Sequence, residues 1–498
     1  MAEIFVDPDG DGQGLHPTSL TRALRSARPG DEIILRAGRY TRPVTITRSG
    51  TKTAPIIIRS EEARLALMDG GQTPATDNGL GLELTKDSFA FIKCLNAKHV
   101  QLKGLQFRHC WPASVYIENS KGIRVSYCLG VGSRAFVFAR QTGDQKTCKH
   151  ILIEGCGWVQ DPDFDMWEGR ATWSEIKNDI GHGNKSHFNG AFFASNNIAG
   201  KVSIRHNTIS HAFNAIRMEI DYGFVEGSQT KPEITRNRDV AIYGNSFAFI
   251  RDNAIEPEIG AQNWRVADNR FFNVHAAISL DKVAMRDVIV IGNTFLNNRQ
   301  PGVQGTENQG GRIIKFIKPR HNEPPDKDRP RKDFWILFNS IQTRTTYTKK
   351  GITTFWRDYG NAFASLPKTH PRPGPVRRIM PGMDWSGDVE IRFLATNDPD
   401  YPTEYAEGRF KTFKTTFDPV FAPCDPSPEP KEPLGGWSGQ LHRSDAVEAL
   451  RCDPLTIEGA DGKVLKIKHR LPPGAHACKK LGLTKWLERH WDPYEPEP

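Results

Sequence analysis

Acidic residues recur at matching positions in three short segments of the chain, 215–221, 254–259 and 277–281. In each segment an isoleucine opens an alternation of apolar and polar residues, which is typical of a strand with one buried face. Side chains of a strand point alternately to opposite faces, so stacking the three segments produces two outward columns. One column contains Arg217, Glu256 and Ser279, and the other contains Glu219, Glu258 and Asp281.

This row of carboxylates requires compensation. Parallel strands lie about 4.8 Å apart, and like charges stacked on a sheet destabilise it, so the row needs a counter-ion, a shared proton or a function. One interpretation is a surface ion network in which Arg217, Lys282 and Lys315 neutralise the acids. We favour a catalytic site, with these candidate residues: Glu219, Glu256, Glu258, Asp281, Lys282, Lys315 and Arg217.

Two kinds of chemistry suit such a row. Oxygen ligands from Glu256, Glu258 and Asp281 could hold Ca²⁺, and a cation beside a uronate carboxylate acidifies the neighbouring C5 proton for β-elimination. The base that removes this proton has several candidates: Lys282, Lys315, Arg217, His211 and His275. Alternatively, two of the carboxylates could act as the acid and the nucleophile or base of a glycoside hydrolase. No organic cofactor is implied.

A polar insertion at 161–187 interrupts the regular pattern, and insertions in repeat proteins lie on one face, often the binding face. It contains aromatic and histidine residues that could contact sugar rings, although tryptophans that anchor a loop and solvated histidines are the plainer interpretation. The candidate substrate-binding residues here and nearby are Trp167, His182, His187, Arg265, His211 and His275.

The elements that must position these residues follow from a repeat. Asn245, Asn269 and Asn293 stand 24 residues apart in similar phrases, with looser copies around Asn207 and Asn339. A period in the low twenties with β-branched residues and a turn-favouring asparagine indicates a solenoid. Cysteines occupy the asparagine position in two earlier phrases, at Cys128 and Cys156, which predicts buried thiols stacked inside the coils.

The N-terminal region adds a resemblance. The order Pro29-Gly30-Asp31, Ile33-Ile34-Leu35, Gly38-Arg39-Tyr40 and then Ile56-Ile57-Ile58 resembles the opening of right-handed parallel β-helix proteins of the pectate-lyase-like superfamily. The resemblance covers about residues 5–345 and implies an all-β, right-handed parallel β-helix with an N-terminal cap helix. We expect the β-helix over 1–360, followed by a linker, last coils and a C-terminal cap over 361–498.

The segment 253–269 is also similar to polysaccharide lyase family six, the alginate and chondroitin lyases. That resemblance implies a calcium pair at Glu256 and Glu258. It does not supply the family's base, because 259–262 reads Ile-Gly-Ala-Gln where a lysine is expected, and only Lys282 falls near the position of the expected arginine.

The net charge indicates which classes of binding partner suit the protein. The formal charge of +9 and a pI near 9.0 suit a polyanionic substrate, whereas scattered basic residues speak against nucleic acid. No apolar run approaches the roughly 20 residues of a membrane span. The N-terminus lacks signal-peptide features, yet the resemblance favours an extracellular or periplasmic protein, in which two of Cys424, Cys452 and Cys478 could form a disulfide.

The sequence therefore predicts a polysaccharide-active enzyme, most simply a lyase that cleaves an acidic polymer by β-elimination. A glycoside hydrolase using the stacked carboxylates is the first alternative, and a non-catalytic carbohydrate-binding β-helix is the second.

Overall fold

The computed structural model describes residues 1–8, 19–74, 84–164, 166–167, 171–178, 185–228, 231–280, 284–297, 311–315, 334–343, 356–359, 361–365, 389–392, 411–414, 455–458 and 463–467, with positions 475, 478, 482, 483, 485, 486 and 489. It is mostly β-strand, and nearly all of the strands pair in parallel and coil into a right-handed β-helix. This confirms the predicted fold.

The strands of the first half, in chain order, are β1 Glu3–Val6, β2 Glu32–Leu35, β3 Gly38–Tyr40, β4 Val44–Ile46, β5 Ile56–Ser60, β6 Ala66–Asp69, β7 Ala90–Leu95, β8 Lys98–Lys103, β9 Gln106–Arg108, β10 Ala113–Glu118, β11 Lys121–Ser126, β12 Leu129–Val131, β13 Ala135–Arg140, β14 Lys149–Glu154, β15 Gly157–Val159, β16 Ala191–Asn196, β17 Gly200–Arg205 and β18 Thr208–Ala212. Two short helices interrupt them, α1 Leu20–Ser26 and α2 Trp173–Asn178.

The second half contains β19 Asn214–Glu219, β20 Val225–Ser228, β21 Lys231–Ile234, β22 Arg238–Tyr243, β23 Ser246–Glu258, β24 Gly260–Ala267, β25 Arg270–Ser279, β26 Ala284–Ile291, β27 Thr294–Asn297, β28 Arg312–Lys315, β29 Phe334–Leu337, β30 Ser340–Thr343, β31 Trp356–Tyr359, β32 Ala362–Ser365, β33 Val389–Arg392, β34 Lys411–Lys414, β35 Leu455–Glu458 and β36 Val464–Ile467.

Two long sheets wrap the core. Within the described chain, a 12-stranded sheet starts at β1 and ends at β31, and a 20-stranded sheet has two arms that are joined by the long strands β23 and β25. The arm that matters for function, here called the site arm, runs parallel in the order β4, β7, β10, β13, β16, β19, β23, β25 and β28. The sequence predicted a separate strand after each asparagine phrase, whereas β23 and β25 pass through both arms without a break.

The repeated asparagines form a hydrogen-bonded ladder inside the coil. Asn207, Asn245, Asn269, Asn293, Asn339 and Asn361 are each at most 1% exposed. The Oδ1 of each accepts both the backbone N–H and the Nδ2 of the one before, as for Asn245 to Asn269 at 3.0 and 2.9 Å. Each Nδ2 also donates to a backbone carbonyl, such as Ile242 O for Asn269 at 2.8 Å.

Thiols continue the ladder toward the N-terminus, as the sequence predicted. Cys128 and Cys156 are buried and unbridged. The backbone N–H of Cys156 donates to Asn207 Oδ1 at 2.9 Å, and that of Leu105 to Cys128 Sγ at 3.4 Å. The helix that the sequence predicted near residue 20 is α1, capped by Ser19. No helix of the described residues is long and apolar enough to cross a membrane.

The coils continue beyond residue 360, because β32, β33 and β34 pair in parallel on β30. Further along, the chain packs on the outer face of the 12-stranded sheet. There Cys478, Leu483 and Trp486 cluster with apolar side chains that include Trp335 and Leu337. Cys424 and Cys452 lie outside the described residues, and so does the proposed disulfide.

Candidate active site

The strand register places the first outward column as the sequence predicted. Arg217 pairs with Glu256, Ile255 pairs with Ile278, which sets Glu256 beside Ser279, and Ser279 pairs with Lys315. Glu219 pairs with Glu258 in the second column. Asp281 and Lys282 lie outside the described residues, so their part in the row stays a prediction.

Arg217 is the charge that holds the row together. Its Nη2 lies 2.8 Å from Glu258 Oε2 and 3.5 Å from Glu219 Oε2, and its Nε lies 3.9 Å from Glu256 Oε2. Burial opposes the guanidinium charge, but Glu258, Glu256 and Glu219 together raise the pKa of Arg217. The ion network that the sequence left as an alternative therefore exists around Arg217, and it does not exclude catalysis.

Glu256 is the deepest of the described acids of the row and is 5% exposed. Its Oε1 accepts a hydrogen bond from Asn253 Nδ2 at 2.8 Å, while its Oε2 has no hydrogen-bond partner among the described residues. Burial, followed by the charge of Glu258, raises the pKa of Glu256 to about 7. This carboxyl therefore exchanges its proton near neutral pH, as a general acid or base must.

A β-bulge lies directly before Glu256. Ile250 pairs with Val274 and Asn253 with Ala276, so two residues of β23, Arg251 and Asp252, lie opposite His275 alone. Bulges re-aim side chains and are frequent beside active sites. Here the extra residue is accommodated on the strand that carries both Glu256 and Glu258.

The two titratable groups at the bulge are both deprotonated at physiological pH, one as a carboxylate and the other as a neutral imidazole. Burial opposes ionisation of Asp252, but Lys177, Lys315 and His275 outweigh it and lower the pKa of this carboxyl. Burial lowers the pKa of His275 to about 4, so the imidazole is neutral at physiological pH. His275 Nδ1 and Ser279 Oγ have no hydrogen-bond partner among the described residues, like Glu256 Oε2. Unpaired buried polar atoms on the adjoining strands β23 and β25 point to a ligand that completes them.

The sequence did not predict Lys177. It lies on α2 of the insertion, and its Nζ is 3.3 Å from Asp252 Oδ2. The helix is anchored by Ile176, which is buried against Phe188 and Phe213. Neither the spacing nor the type of Lys177 distinguishes it from other lysines of the insertion, since only the docking of α2 brings it to the acids.

The other predicted binding residues lie elsewhere. Arg265 is on the 12-stranded sheet, 4% exposed and ion-paired to Asp287 at 3.0 Å, so we leave it out of the site. Trp167 is 1% exposed and packs on Phe249, which favours the anchoring role. His211 also contacts Phe249, at 4.9 Å between ring centres. His187 is 4% exposed, and His182 lies outside the described residues.

The calcium site stays a prediction, because Asp281, one of its three predicted ligands, lies outside the described residues. The Arg217 guanidinium takes the place between Glu256 and Glu258 where a shared cation would sit. Across the described residues, no group of three or more His, Cys, Asp or Glu side chains is arranged to hold a metal. No catalytic step is therefore assigned to calcium.

Comparisons with known proteins agree with the fold. No family model matches the chain. A stretch of 126 residues, 24% of this chain, is 30% identical to pectate lyase PEL9 of Emericella nidulans and spans only 30% of that protein. Among solved structures, XylC in complex with xylose aligns with a TM-score of 0.50 at 10% identity, covering 95% of this chain and 98% of that one.

The PL6 family alginate lyase AlyGC aligns with a TM-score of 0.47 at 11% identity, over 93% of this chain and 55% of that one. At 10% identity the XylC alignment establishes the fold and nothing finer. The chain has the pectate-lyase-like right-handed parallel β-helix fold.

Proposed function

We propose that the protein is a polysaccharide lyase that cleaves a uronate-containing polymer by β-elimination. The observation that carries the proposal is Glu256: a buried carboxyl with a pKa of about 7, partly unpaired, on a strand that also presents Arg217-bound Glu258. The 30% identity to a pectate lyase over part of the chain supports the same class.

The elimination needs three groups. A cation must stabilise the uronate carboxylate, and Lys177 and Arg217 both form ion pairs with acids of the site, at 3.3 Å to Asp252 and 2.8 Å to Glu258. A base must remove the C5 proton, and we assign this role to neutral His275. As the C4–C5 double bond forms and the C4–O bond breaks, the leaving oxygen takes a proton, which we assign to the Glu256 carboxyl.

These assignments predict a bell-shaped dependence of kcat/KM on pH. Activity falls below about pH 4, where His275 becomes protonated, and above about pH 7, where Glu256 loses its proton. A profile that rises steadily through pH 7 would exclude Glu256 as the acid.

One observation favours a glycoside hydrolase as a second candidate. Glu256 and Glu258 share one face of β23, and they combine a protonated carboxyl with an ion-paired carboxylate. That combination is what an acid and a nucleophile or base need.

The products distinguish the two. The protein is incubated with a panel of uronate polymers, and the ultraviolet absorbance of unsaturated uronate is recorded alongside new reducing ends. Absorbance with reducing ends means elimination, reducing ends alone mean hydrolysis, and neither means that the enzyme assignment is wrong. Repeating the assay in EDTA tests calcium: we expect full activity, because Arg217 supplies the charge.

A further inference from the structure

We infer that the protein acts at the end of its polysaccharide and releases pieces of one or two sugar units. The inference rests on the proposed function, since it concerns how the polymer lies across the same site.

Both outward columns continue past the acids toward the N-terminus. Arg217 follows Ala194, Phe138 and Tyr116 in the register, and Glu219 follows Asn196, Arg140 and Glu118. A polymer bound across successive strands of the site arm would have to lie over these residues.

The chain itself occupies that surface. Tyr116 and Phe138 stack with ring centres 5.9 Å apart, are each 1% exposed, and share an apolar cluster with buried Leu84. We call residues 84–88 the cover segment. Side chains of both columns hold its backbone. Lys93, which pairs with Tyr116 in the first column, donates from Nζ to Lys86 O at 2.7 Å, and Arg140 of the second column donates from Nη1 to Leu84 O at 2.9 Å.

Little open surface remains between the cover segment and the acids. Only β16 separates β13, which the cover segment contacts, from β19, which carries Arg217. On β16, Ala194 is 1% exposed and Asn196 is half-buried. Two strand spacings amount to about 10 Å, which limits any sugar bound on that side to a short piece.

A bond within a polymer can break only if the chain passes over the surface on both sides of the reacting groups. The cover segment closes one side, so the bond presented to Glu256 must be near a chain end. Asn196, whose amide both donates and accepts hydrogen bonds, is placed to bind that terminal piece.

The test is the size of the products from the earliest time points. A polymer that the protein cleaves is followed by size-exclusion chromatography and viscometry. We expect products of one or two sugars from the start, with viscosity falling slowly relative to bond cleavage. A ladder of intermediate lengths with early loss of viscosity would overturn the chain-end inference and leave elimination intact. Absence of cleavage on every polymer would instead overturn the proposed function.

A matched pair of variants tests the cause. Leu84→Asp places a charge in the apolar cluster and should release the cover segment, so that trypsin cleaves after Lys86 faster than in wild type and the products shift to longer pieces. Leu65→Asp introduces the same charge at a side chain that is 47% exposed and outside the columns, and should change neither. Released Lys86 with unchanged product sizes would contradict the inference, and if Leu84→Asp does not fold, the wild-type product sizes decide.

Discussion

Glu256 combines a structural cost with a chemical use. Its raised pKa means that the folded protein binds a proton that the unfolded chain releases at about pH 4.3, the ordinary value for glutamate. Between that pH and about 7 the native state holds more protons, so the free energy of unfolding falls as pH rises through this window. Natural sites accept such costs where the group has work to do.

Glu256→Gln separates stability from activity. Glutamine keeps the shape and the oxygen that accepts from Asn253 but carries no charge. We expect the variant to melt higher than wild type at pH 8 and equally at pH 4, while losing at least about 100-fold in kcat, typical for a general acid. Thermal melts at both pH values and the ultraviolet assay measure this.

Glu233→Gln, at an exposed position of the β20–β21 hairpin, is the control and should change neither quantity. A Glu256→Gln variant whose melting difference from wild type is the same at pH 4 and pH 8 would show that the pKa of Glu256 is not raised in the folded protein.

Lys177→Met tests whether the lysine of the insertion controls that proton. Lys177 lowers the pKa of Glu256 against burial and Glu258. Its removal should raise this pKa, and the alkaline limb of the kcat/KM profile should move to higher pH. Lys177→Arg should restore the wild-type limb. Lys185→Met, which removes a lysine of the same insertion that pairs with Glu175, should leave it in place; a shift there too would mean a nonspecific charge effect.

At the scale of elements, two features position the site residues: the bulge in strand β23 and the docked helix α2. Alternation along 215–221 and 254–259 was sufficient to predict which side chains share a column, because pleating leaves no other choice once the isoleucines face inward. The bulge at Arg251 and Asp252 could not be predicted, since an extra residue leaves no mark in the local pattern. The same holds for α2, whose position depends on contacts with Phe188 and Phe213 far along the chain.

Ile176→Asp should undock α2. Ile176 is fully buried on the inner side of the helix, so a carboxylate there is incompatible with the apolar cluster. We expect activity to fall, because undocking the helix takes Lys177 away from Asp252. Most of the coil's melting transition should be retained, because the insertion lies outside the interior core. Ser174→Asp adds the same charge on the exposed side of α2 and should be neutral. Equal losses in both variants would argue against the docking explanation.

At the scale of the whole molecule, the asparagine repeat determines both the coil length and an internal hydrogen-bonded ladder, and only the coil length could be predicted from the sequence. Its 24-residue spacing predicted the coil length and the register, because each coil must return to the same point of the cross-section. It was interpreted as a turn residue, whereas the side chains point inward and bond to one another. A single sequence shows the period but not the direction of a side chain at a corner.

Asn269→Ala measures the ladder. The change removes acceptors for the N–H and Nδ2 of Asn245, and donors for Ile242 O and Asn293 Oδ1. Each buried group left unpaired costs about 1–3 kcal/mol, so we expect unfolding free energy to fall by several kcal/mol in denaturant titrations. Thr208→Ala, at the exposed position after Asn207, should cost under about 0.5 kcal/mol. A loss as small as that in Asn269→Ala would mean that water replaces the missing amide.

The hydrogen bonds of the ladder change in kind at one point along the coil. Between Cys156 and Asn207 the coupling changes from thiols, which are weak donors and acceptors, to amides that bond both ways. In a solenoid, stability is the sum of each coil and its contacts with its two neighbours, so fraying from the N-terminus should halt where the amides begin. Glu219, Glu256 and Glu258 all lie on the amide side of that boundary, so fraying from the N-terminus should stop before it reaches the coils that bring them together.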